Sequence, residues 1–375
     1  MRSRIWVVLL FVIVSALVLS ACAAPAAPPA APAAPAAPTA APAAPTSAPA
    51  QPTQAVSAKA PTDLNVAAIF ISTVEEPWNT SWLQAMDRLK AAKPNGATVN
   101  VDYTENVFPP DAERVLRQYA QTGKYQVIWA HSAYPDAVKV LMKEFPDILW
   151  VGAGSGYEPM GGNAYWVDVN VHEPAYLAGI IAGKMTKSNV VGAVGGFPYP
   201  NVNLPINGFV AGAKSVNPDV KAKVTFIDSW FDPAKAKESA MAQIAAGADF
   251  VYAERFGPFE AAQQKNILAF GHFVDQSSIA PQVVTTSALA LWDPTIKKVV
   301  DAWWDHATKS AAYDAPKERI VYNMKDGGAD LAPYHDLGSK IPKDVQDAVA
   351  QAKADIMSGK LTVPYLDQPP AEAGK

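Results

Sequence analysis

The chain has 375 residues, a length that is too great for one small hydrophobic core and that suits two lobes. Its formal net charge is −4 at pH 7, and 18% of its residues are charged. This weakly acidic balance, without a basic run, argues against nucleic acid as a partner.

The first 21 residues have the pattern of an export signal. Arg2 and Arg4 precede an apolar run over residues 5–19, which is too short for a stable transmembrane helix. Small residues then lead to Cys22, and this arrangement resembles a lipobox, the cleavage signal of bacterial lipoproteins. The resemblance implies cleavage before Cys22 and lipidation of that residue. An ordinary secretory signal with a chance cysteine is the alternative.

Residues 22–60 are dominated by alanine and proline. Such a segment cannot bury a core, so it is predicted to be a disordered, extended tether that reaches on the order of 100 Å. A proline-rich docking motif is the alternative interpretation. Residues 61–375 then make up the predicted ligand-binding domain.

Short apolar strands alternate with amphipathic helical runs in the first half of that domain, which predicts a parallel α/β fold. Strands are predicted over residues 64–71, 98–103, 125–130, 148–153 and 163–169. Helices are predicted over residues 81–92, 111–122, 135–145 and 174–185. The last of these is interrupted by Lys184, which favours a core helix over a membrane span.

The same pattern then restarts. Strands are predicted over residues 189–194, 221–226, 249–253, 267–270 and 282–286. Helices are predicted over residues 205–216, 234–246, 295–306 and 343–358. Two successive sets of similar size predict two Rossmann-like lobes with a cleft between them.

No motif in the sequence indicates a catalytic site, a cofactor site or a metal site. The sequence lacks GxGxxG, P-loop, GxSxG and HExxH patterns, and its five histidines are dispersed. The single cysteine excludes an internal disulfide. Glu75 and Glu76 form an adjacent pair whose side chains point apart, and a solvated loop is the favoured interpretation. The chain is therefore predicted to be a binding protein without enzymatic activity.

Aromatic and polar side chains follow one predicted strand after another, at the sheet edge where ligands of open α/β folds collect. Each of them alone is more often a core or capping residue than a ligand contact. Together they favour a flat aromatic ligand held between rings, each stack contributing roughly 0.5–1.5 kcal/mol beyond burial. The candidate ligand-binding residues are Trp78, Asn79, Trp82, Ser132, Tyr134, Ser155, Tyr157, Phe197, Trp230, Phe231, Asp232, Arg255, Phe256, Phe273 and Trp292.

The segment 227–233 places two rings beside a carboxylate directly after a predicted strand. Trp230 and Phe231 can stack on a ligand, and Asp232 can accept hydrogen bonds from it. The alternative is that Trp230 belongs to the core and that Asp232 caps the next helix, with Pro233 in its first turn.

Several segments together resemble the basic membrane protein, or PnrA-like, family. They are residues 175–192, 206–213, 216–218, 230–233 and 247–249. The family comprises substrate-binding lipoproteins of ABC importers with the two-lobed type I periplasmic binding protein fold. The resemblance implies an extracytoplasmic, lipid-anchored receptor with permease and ATPase partners, whose ligands are purine nucleosides, purine bases or a flavin.

The resemblance also implies how the lobes and the site are arranged. The first lobe is expected over about 61–170 with a return segment near 282–305, and the second over about 188–280 with C-terminal segments. The family's first stacking and polar positions fall on Trp78 and Asn79, and the second-lobe stacking position falls on Trp230 or Phe231.

Three positions depart from the family pattern. The two groups that grip ribose in nucleoside-binding members fall on Phe273 and Ala290, which cannot do so. Because a buried hydroxyl without a partner costs about 1–3 kcal/mol, a base is favoured over a nucleoside. The third departure lies near Arg255 and Phe256. The base-binding branch of the family has an acidic residue there, whereas this chain has arginine or phenylalanine. A ligand sensor or surface lipoprotein, and a sugar receptor of the same fold, are the alternative functions.

Overall fold

The computed structural model describes residues 60–374. The predicted signal segment 1–21, the predicted lipidation site Cys22 and residues 22–59 of the predicted tether lie outside the described residues. No helix within residues 60–374 is both long enough and apolar enough to cross a membrane.

The strands of the described chain alternate with helices, as predicted. They are β1 (Asp63–Ile69), β2 (Thr98–Thr104), β3 (Val127–Ala130), β4 (Leu149–Ala153), β5 (Ala164–Val169), β6 (Val190–Gly195), β7 (Lys221–Phe226), β8 (Phe250–Ala253), β9 (Leu268–Phe273), β10 (Val284–Ala290), β11 (Ile320–Tyr322) and β12 (Ala329–Leu331). The central strands β3, β4 and β8 are buried along their whole length, which explains why they are short, continuous apolar runs.

Proline occupies the first turn of most helices, where its missing N–H costs no hydrogen bond. The helices are α1 (Pro77–Ala92), α2 (Pro109–Gln121), α3 (Pro135–Glu144), α4 (His172–Met185), α5 (Pro200–Val216), α6 (Pro233–Ala245), α7 (Pro258–Lys265), α8 (Asp293–Lys309) and α9 (Lys343–Met357). Three short 3-10 helices are also present in the described residues, at Pro94–Gly96, Met324–Asp326 and His335–Lys340.

Two six-stranded sheets divide the described chain into two lobes. The first sheet has the order β11-β5-β4-β3-β1-β2, and every pair in it is parallel. The second has the order β12-β10-β9-β8-β6-β7, in which β12 alone runs antiparallel to its neighbour. The predicted α/β fold with two parallel sheets is therefore confirmed.

Within residues 60–374 the chain passes between the lobes three times. The first passage joins β5 to α4, which packs on α5, β10 and β12 of the second lobe. The second joins β10 to α8, which packs against α1 and β11. The third joins β11 to β12. The segment 282–305, expected to return to the first lobe, is thus divided: its strand lies in the second sheet and its helix lies on the first lobe.

The small residues of α4 allow it to lie unusually close to α5. A Cβ atom at Gly179 would lie 2.1 Å from the carbonyl oxygen of Phe209, and a Cβ atom at Gly183 would lie 2.4 Å from that of Ala213. Because no side chain fits there, the two helices pack backbone to backbone, and α4 is a core helix as predicted.

Several element boundaries differ from the prediction because prolines that begin helices resemble loop residues in the sequence. Helix α1 begins at Pro77 instead of residue 81, and α5 begins at Pro200 instead of residue 205. Pro205 consequently lies inside α5, near its first turn. Helix α7 and the three-residue strands β11 and β12 were not predicted, since each is too short to show a clear period.

Candidate functional site

A cleft of about 680 Å³, counting its open mouth, lies between the two lobes. Its walls come from the segments that follow β1, β2, β3, β4, β6, β7 and β8, and from the end of β9. The lining residues are Ile71, Ser72, Glu76, Trp78, Pro109, Ser132, Ala133, Gly154, Ser155, Tyr199, Asn201, Trp230, Arg255 and Phe273.

The indole of Trp78 forms the first-lobe aromatic wall. It stacks on the ring of His131 with centroids 5.0 Å apart, and its Nε1 donates to the His131 carbonyl oxygen over 3.2 Å. Trp292 packs edge-on against it at 4.9 Å. A Cβ atom at Gly154, where φ is +81°, would lie 3.1 Å from the indole. Gly154 therefore gives the ring its space, and the surrounding contacts fix its plane.

The support behind Trp78 is an uncharged histidine. Nδ1 of His131 accepts a hydrogen bond from Nε1 of Trp129 over 3.0 Å. Burial lowers the pKa of His131 to about 3, although contact with the Trp78 carbonyl opposes this. The imidazole is therefore neutral at physiological pH and packs as an aromatic ring.

Trp230 forms the aromatic wall of the second lobe. Its ring lies 4.9 Å from Phe197 and 5.7 Å from Tyr199, centroid to centroid. The guanidinium carbon of Arg255 lies 5.6 Å from its centroid, a cation–π distance. The indole is held by neighbours of its own lobe and still faces the cleft.

Three charged side chains are buried where the lobes meet. Nη1 of Arg255 donates to Oε1 of Glu76 over 2.8 Å and to the Trp230 carbonyl oxygen over 3.0 Å. Its Nε donates to Oε2 of Glu254 over 2.8 Å, and its Nη2 donates to the other oxygen of Glu254. The N–H of Gly196 donates to the same Oε2 over 2.9 Å. Because Glu76 precedes α1 and Arg255 follows β8, their ion pair joins the two lobes.

Burial raises the pKa of both Glu76 and Glu254, and the charge of Arg255 opposes this. Burial alone would lower the pKa of Arg255, but the two carboxylates outweigh it and raise that pKa. Burial, with the charge of Arg255, holds the pKa of His272 well below its usual range. His272 is therefore neutral and adds no charge to the group.

A second polar contact also crosses the cleft. Oγ of Ser155, after β4, donates to Oδ1 of Asn201 on α5 over 2.6 Å. Ser72 and Ser132 line the same space from the first lobe. These groups can hydrogen-bond a ligand between the rings.

Phe273 closes the cleft beside Trp78. It ends β9 with φ at +62°, a left-handed conformation that is rare for an aromatic residue. Its ring lies 5.3 Å from that of Trp78. Ala290, the other position compared with ribose-gripping residues, is buried in β10 and is not among the lining residues.

The structure brings part of the predicted site together. The predicted residues that line the cleft are Trp78, Ser132, Ser155, Trp230, Arg255 and Phe273. The predicted residues that lie elsewhere are Asn79, Trp82, Tyr134, Tyr157, Phe197, Phe231, Asp232, Phe256 and Trp292.

The first-lobe residues outside the cleft have structural contacts instead. Trp82 and Trp292 are fully buried, and Nε1 of Trp292 donates to the Ser81 hydroxyl. Asn79 donates to Ser72 and Thr73 and so holds the loop before α1. The hydroxyls of Tyr134 and Tyr157 donate to the carbonyl oxygens of Val107 and Lys317, and neither residue lines the cleft.

The second-lobe residues outside the cleft surround Trp230. Phe197 packs on its ring. Phe231 is exposed and packs edge-on against Phe256 at 6.0 Å. Asp232 accepts the Lys235 N–H over 3.0 Å and caps α6, which agrees with the capping alternative. Trp230 is half-buried: it packs against the hydrophobic core, as the other alternative has it, and it also lines the cleft.

Sequence reasoning missed Glu76, which it placed with Glu75 on a solvated loop. Glu75 is exposed, whereas Glu76 is buried and its Oε2 accepts the Trp78 N–H over 3.0 Å. A local signal was present, since proline is common at the first position of a helix and a negative charge is favourable beside that end. Glu254 gave a similar signal as a carboxylate directly after a buried strand.

Residues 60–374 contain no group of three or more histidine, cysteine, aspartate or glutamate side chains arranged to hold a metal ion. The chemistry that the cleft does offer is stacking between rings, hydrogen bonding through hydroxyl and amide groups, and a buried ion pair.

Known proteins resemble this chain over most of its length. The family described as ABC transporter substrate-binding protein PnrA-like matches residues 64–365. A purine-binding protein of Brucella abortus is 31% identical over 314 residues, which cover 81% of this chain and 84% of that protein. A putative ABC transporter glucose-binding protein of Haloferax volcanii is 28% identical over 308 residues, which cover 80% of this chain and 74% of that protein.

The fold has a solved counterpart in an ABC transporter solute-binding protein from Conexibacter woesei. The two superpose with a TM-score of 0.62 at 23% sequence identity, over 80% of this chain and 99% of that one. At this identity the similarity concerns the fold alone.

Proposed function

The chain belongs to the PnrA-like family of ABC transporter substrate-binding proteins, and we propose that its ligand is a flat aromatic heterocycle, best matched by a purine base. Members of this family bind solutes for transporters and are not enzymes. The ligand is held between the lobes and passed to a permease. Closure is a hinge motion at the chain passages, stabilised by ligand contacts from both lobes.

The observation that carries this proposal is the pair of indoles that line the cleft from opposite lobes, Trp78 and Trp230. Each ring is fixed by aromatic neighbours, so little conformational entropy is lost when a ligand stacks on it. A planar ring system can stack on an indole with each of its two faces, whereas a puckered or aliphatic solute cannot.

The residues that replace ribose-gripping groups favour a base without its sugar. Phe273 presents an apolar ring to the cleft, and Ala290 does not reach it. Ribose hydroxyls placed beside Phe273 would lose water without gaining partners, at a cost of about 1–3 kcal/mol for each such group.

The relative from Brucella abortus is named as purine-binding, which supports the same ligand class here. A sugar is the second candidate, because the relative from Haloferax volcanii is named as a putative glucose-binding protein and sugars also stack on tryptophan.

Substrate-binding proteins of ABC importers act outside the cytoplasm. We propose that this chain is exported by its first 21 residues and anchored by a lipid on Cys22, with the alanine- and proline-rich segment as its tether. Metabolic labelling with a palmitate analogue, compared with a Cys22→Ser variant, tests the anchor. Equal labelling of both proteins would overturn it.

The ligand class is tested by denaturing the purified protein and identifying released compounds by mass spectrometry. Calorimetric titration then compares hypoxanthine, inosine and glucose. We expect a purine in the released fraction and tighter binding of hypoxanthine than of inosine. A released sugar, or heat from glucose alone, would establish the second candidate, and tighter binding of inosine would refute the argument from Phe273.

A further inference from the structure

The buried charges beside the cleft are unequal in number. Glu76 and Glu254 surround the single guanidinium of Arg255, and all three side chains are almost completely buried. Among the described residues that line the cleft, Glu76 and Arg255 are the charged ones, and Glu254 lies directly behind Arg255. The neighbouring His272 is 3.6 Å from Glu254 and is neutral.

The hydrogen bonds that Glu76 and Glu254 accept are those of ionised carboxylates. Glu76 accepts from Arg255 with one oxygen and from the Trp78 N–H with the other. Glu254 accepts from Arg255 with both oxygens and from the Gly196 N–H with one of them. A protonated carboxyl would instead have to donate from one of these oxygens. With both carboxyl groups ionised, the group has two negative charges around one positive charge.

Arg255 is not available to bind an anion, although it lines the cleft. Its Nε and Nη2 donate to Glu254, and its Nη1 donates to Glu76 and to the Trp230 carbonyl oxygen. Four of its five N–H groups are thus directed at protein acceptors. A ligand that enters the cleft meets a group whose net charge is −1 and whose cation is already bound.

We propose that the cleft selects its ligand by charge, accepting neutral or cationic heterocycles and rejecting anionic ones. This inference rests on the proposed function, because it concerns the ligand of the same cleft. The unpaired negative charge repels an anion, and the low polarity around the buried group strengthens that repulsion relative to water. A ligand with N–H donors can use the lone pairs of the Glu76 carboxylate that Arg255 and Trp78 leave free.

The variant Glu254→Gln tests the proposal without changing the lining of the cleft. It removes the second negative charge, while the amide oxygen can still accept from Arg255. The probes are hypoxanthine, which is neutral at pH 7.5, and urate, which is a monoanion at that pH, both titrated by calorimetry. In the unmodified protein we expect urate to bind at least about tenfold more weakly than hypoxanthine.

In Glu254→Gln we expect the ratio of the two affinities to shrink by about tenfold. The matched control is Glu75→Gln, which removes the same charge from an exposed position on the other lobe and should leave the ratio unchanged. Thermal unfolding checks that each variant folds. If Glu254→Gln does not fold, Glu76→Gln is used as the test variant instead, because it also removes one negative charge from the same group.

The outcomes separate this proposal from the proposed function. Binding of hypoxanthine with an unchanged ratio in the charge-removing variant would overturn the charge selection and leave the purine ligand intact. Equal affinity for urate and hypoxanthine in the unmodified protein would do the same. If neither hypoxanthine nor urate bound to the unmodified protein, the charge selection and the proposed purine ligand would both be overturned.

Discussion

Glu76 of the first lobe and Arg255 of the second form a salt bridge across the cleft, with Oε1 and Nη1 2.8 Å apart and both side chains at most 5% exposed. A buried ion pair is weak evidence for stability, because desolvation offsets the attraction. The clearer effect of this ion pair is to favour one relative orientation of the two lobes. The two charges compensate each other fully only when the lobes are in the orientation seen here.

The loss of Arg255 should be much more damaging than the loss of Glu76. Arg255→Met leaves two buried carboxylates without a cation, whereas Glu76→Gln leaves Arg255 paired with Glu254. We expect Arg255→Met to lower the free energy of unfolding by about 3–5 kcal/mol and Glu76→Gln by clearly less. Urea unfolding monitored by tryptophan fluorescence measures both.

The matched control is Arg88→Met, which breaks an exposed salt bridge to Asp293 of similar length, 2.6 Å. We expect its effect on unfolding to stay within about 1 kcal/mol. Equal losses for Arg255→Met and Arg88→Met would show that the buried group does not contribute as described.

Trp230 should matter for binding, and its neighbour Phe231 should not. Trp230→Ala removes a ring that lines the cleft, so we expect affinity for hypoxanthine to fall roughly ten- to a hundredfold. Phe231→Ala removes an adjacent ring that is 41% exposed and outside the cleft, and it should leave affinity within about twofold. Calorimetric titration distinguishes them, and a larger effect of Phe231→Ala would mean that the second-lobe stacking ring has been misassigned.

Gly154 should be required for the position of Trp78. Gly154→Ala adds a methyl group 3.1 Å from the indole, so we expect hypoxanthine binding to weaken at least about tenfold as the ring moves. Gly162→Ala is the control, because φ is also positive there while no heavy atom lies within 4 Å of the new carbon. Both variants should lose about 1 kcal/mol of stability from backbone strain, and only Gly154→Ala should lose binding. Similar affinities for both would refute the role given to Gly154.

Acid should destabilise the protein partly through His131. Its pKa is about 3 in the folded state and about 6.5 in the unfolded state, so the unfolded chain binds the extra proton below pH 6.5. The stability due to the neutral histidine is present above pH 6.5 and is lost as the pH falls toward 3. The loss amounts to about 2 kcal/mol between pH 7 and pH 5.

The variant His131→Asn isolates this contribution, because an asparagine side chain keeps an acceptor for Trp129 and does not titrate. We expect its free energy of unfolding to depend less steeply on pH than that of the unmodified protein, by about 2 kcal/mol between pH 7 and pH 5. Urea unfolding at a series of pH values measures the difference. Parallel pH dependences would show that His131 is not buried and neutral in solution.

The fold was predictable from the sequence because its signals are local. Continuous apolar strands and amphipathic helices alternate, and the family resemblance rests largely on residues 175–192 and 206–213. In the structure these segments include most of α4 and the middle of α5, the pair that packs backbone to backbone around Gly179. The resemblance therefore records the packing of the scaffold more than the chemistry of the cleft.

The site was less predictable because exposure of a ring to the cleft depends on contacts between distant segments. Trp78 and Trp82 are four residues apart on α1, yet one lines the cleft and the other is enclosed by Phe70 and Trp129. Glu76 was missed for the same reason, since its partner is 179 residues away. The periodicity of a sequence predicts which side chains share one face of a helix. Which residues that face contacts is determined only when the two lobes are assembled.

The three passages of the chain between the lobes also determine the order in which the protein can be completed during synthesis. The edge strand β11 of the first sheet is translated after every strand of the second sheet except β12. The first lobe therefore cannot close its sheet until most of the second lobe has left the ribosome. Neither lobe is a continuous stretch of chain, so a truncation before Ile320 removes a strand from each of the two sheets.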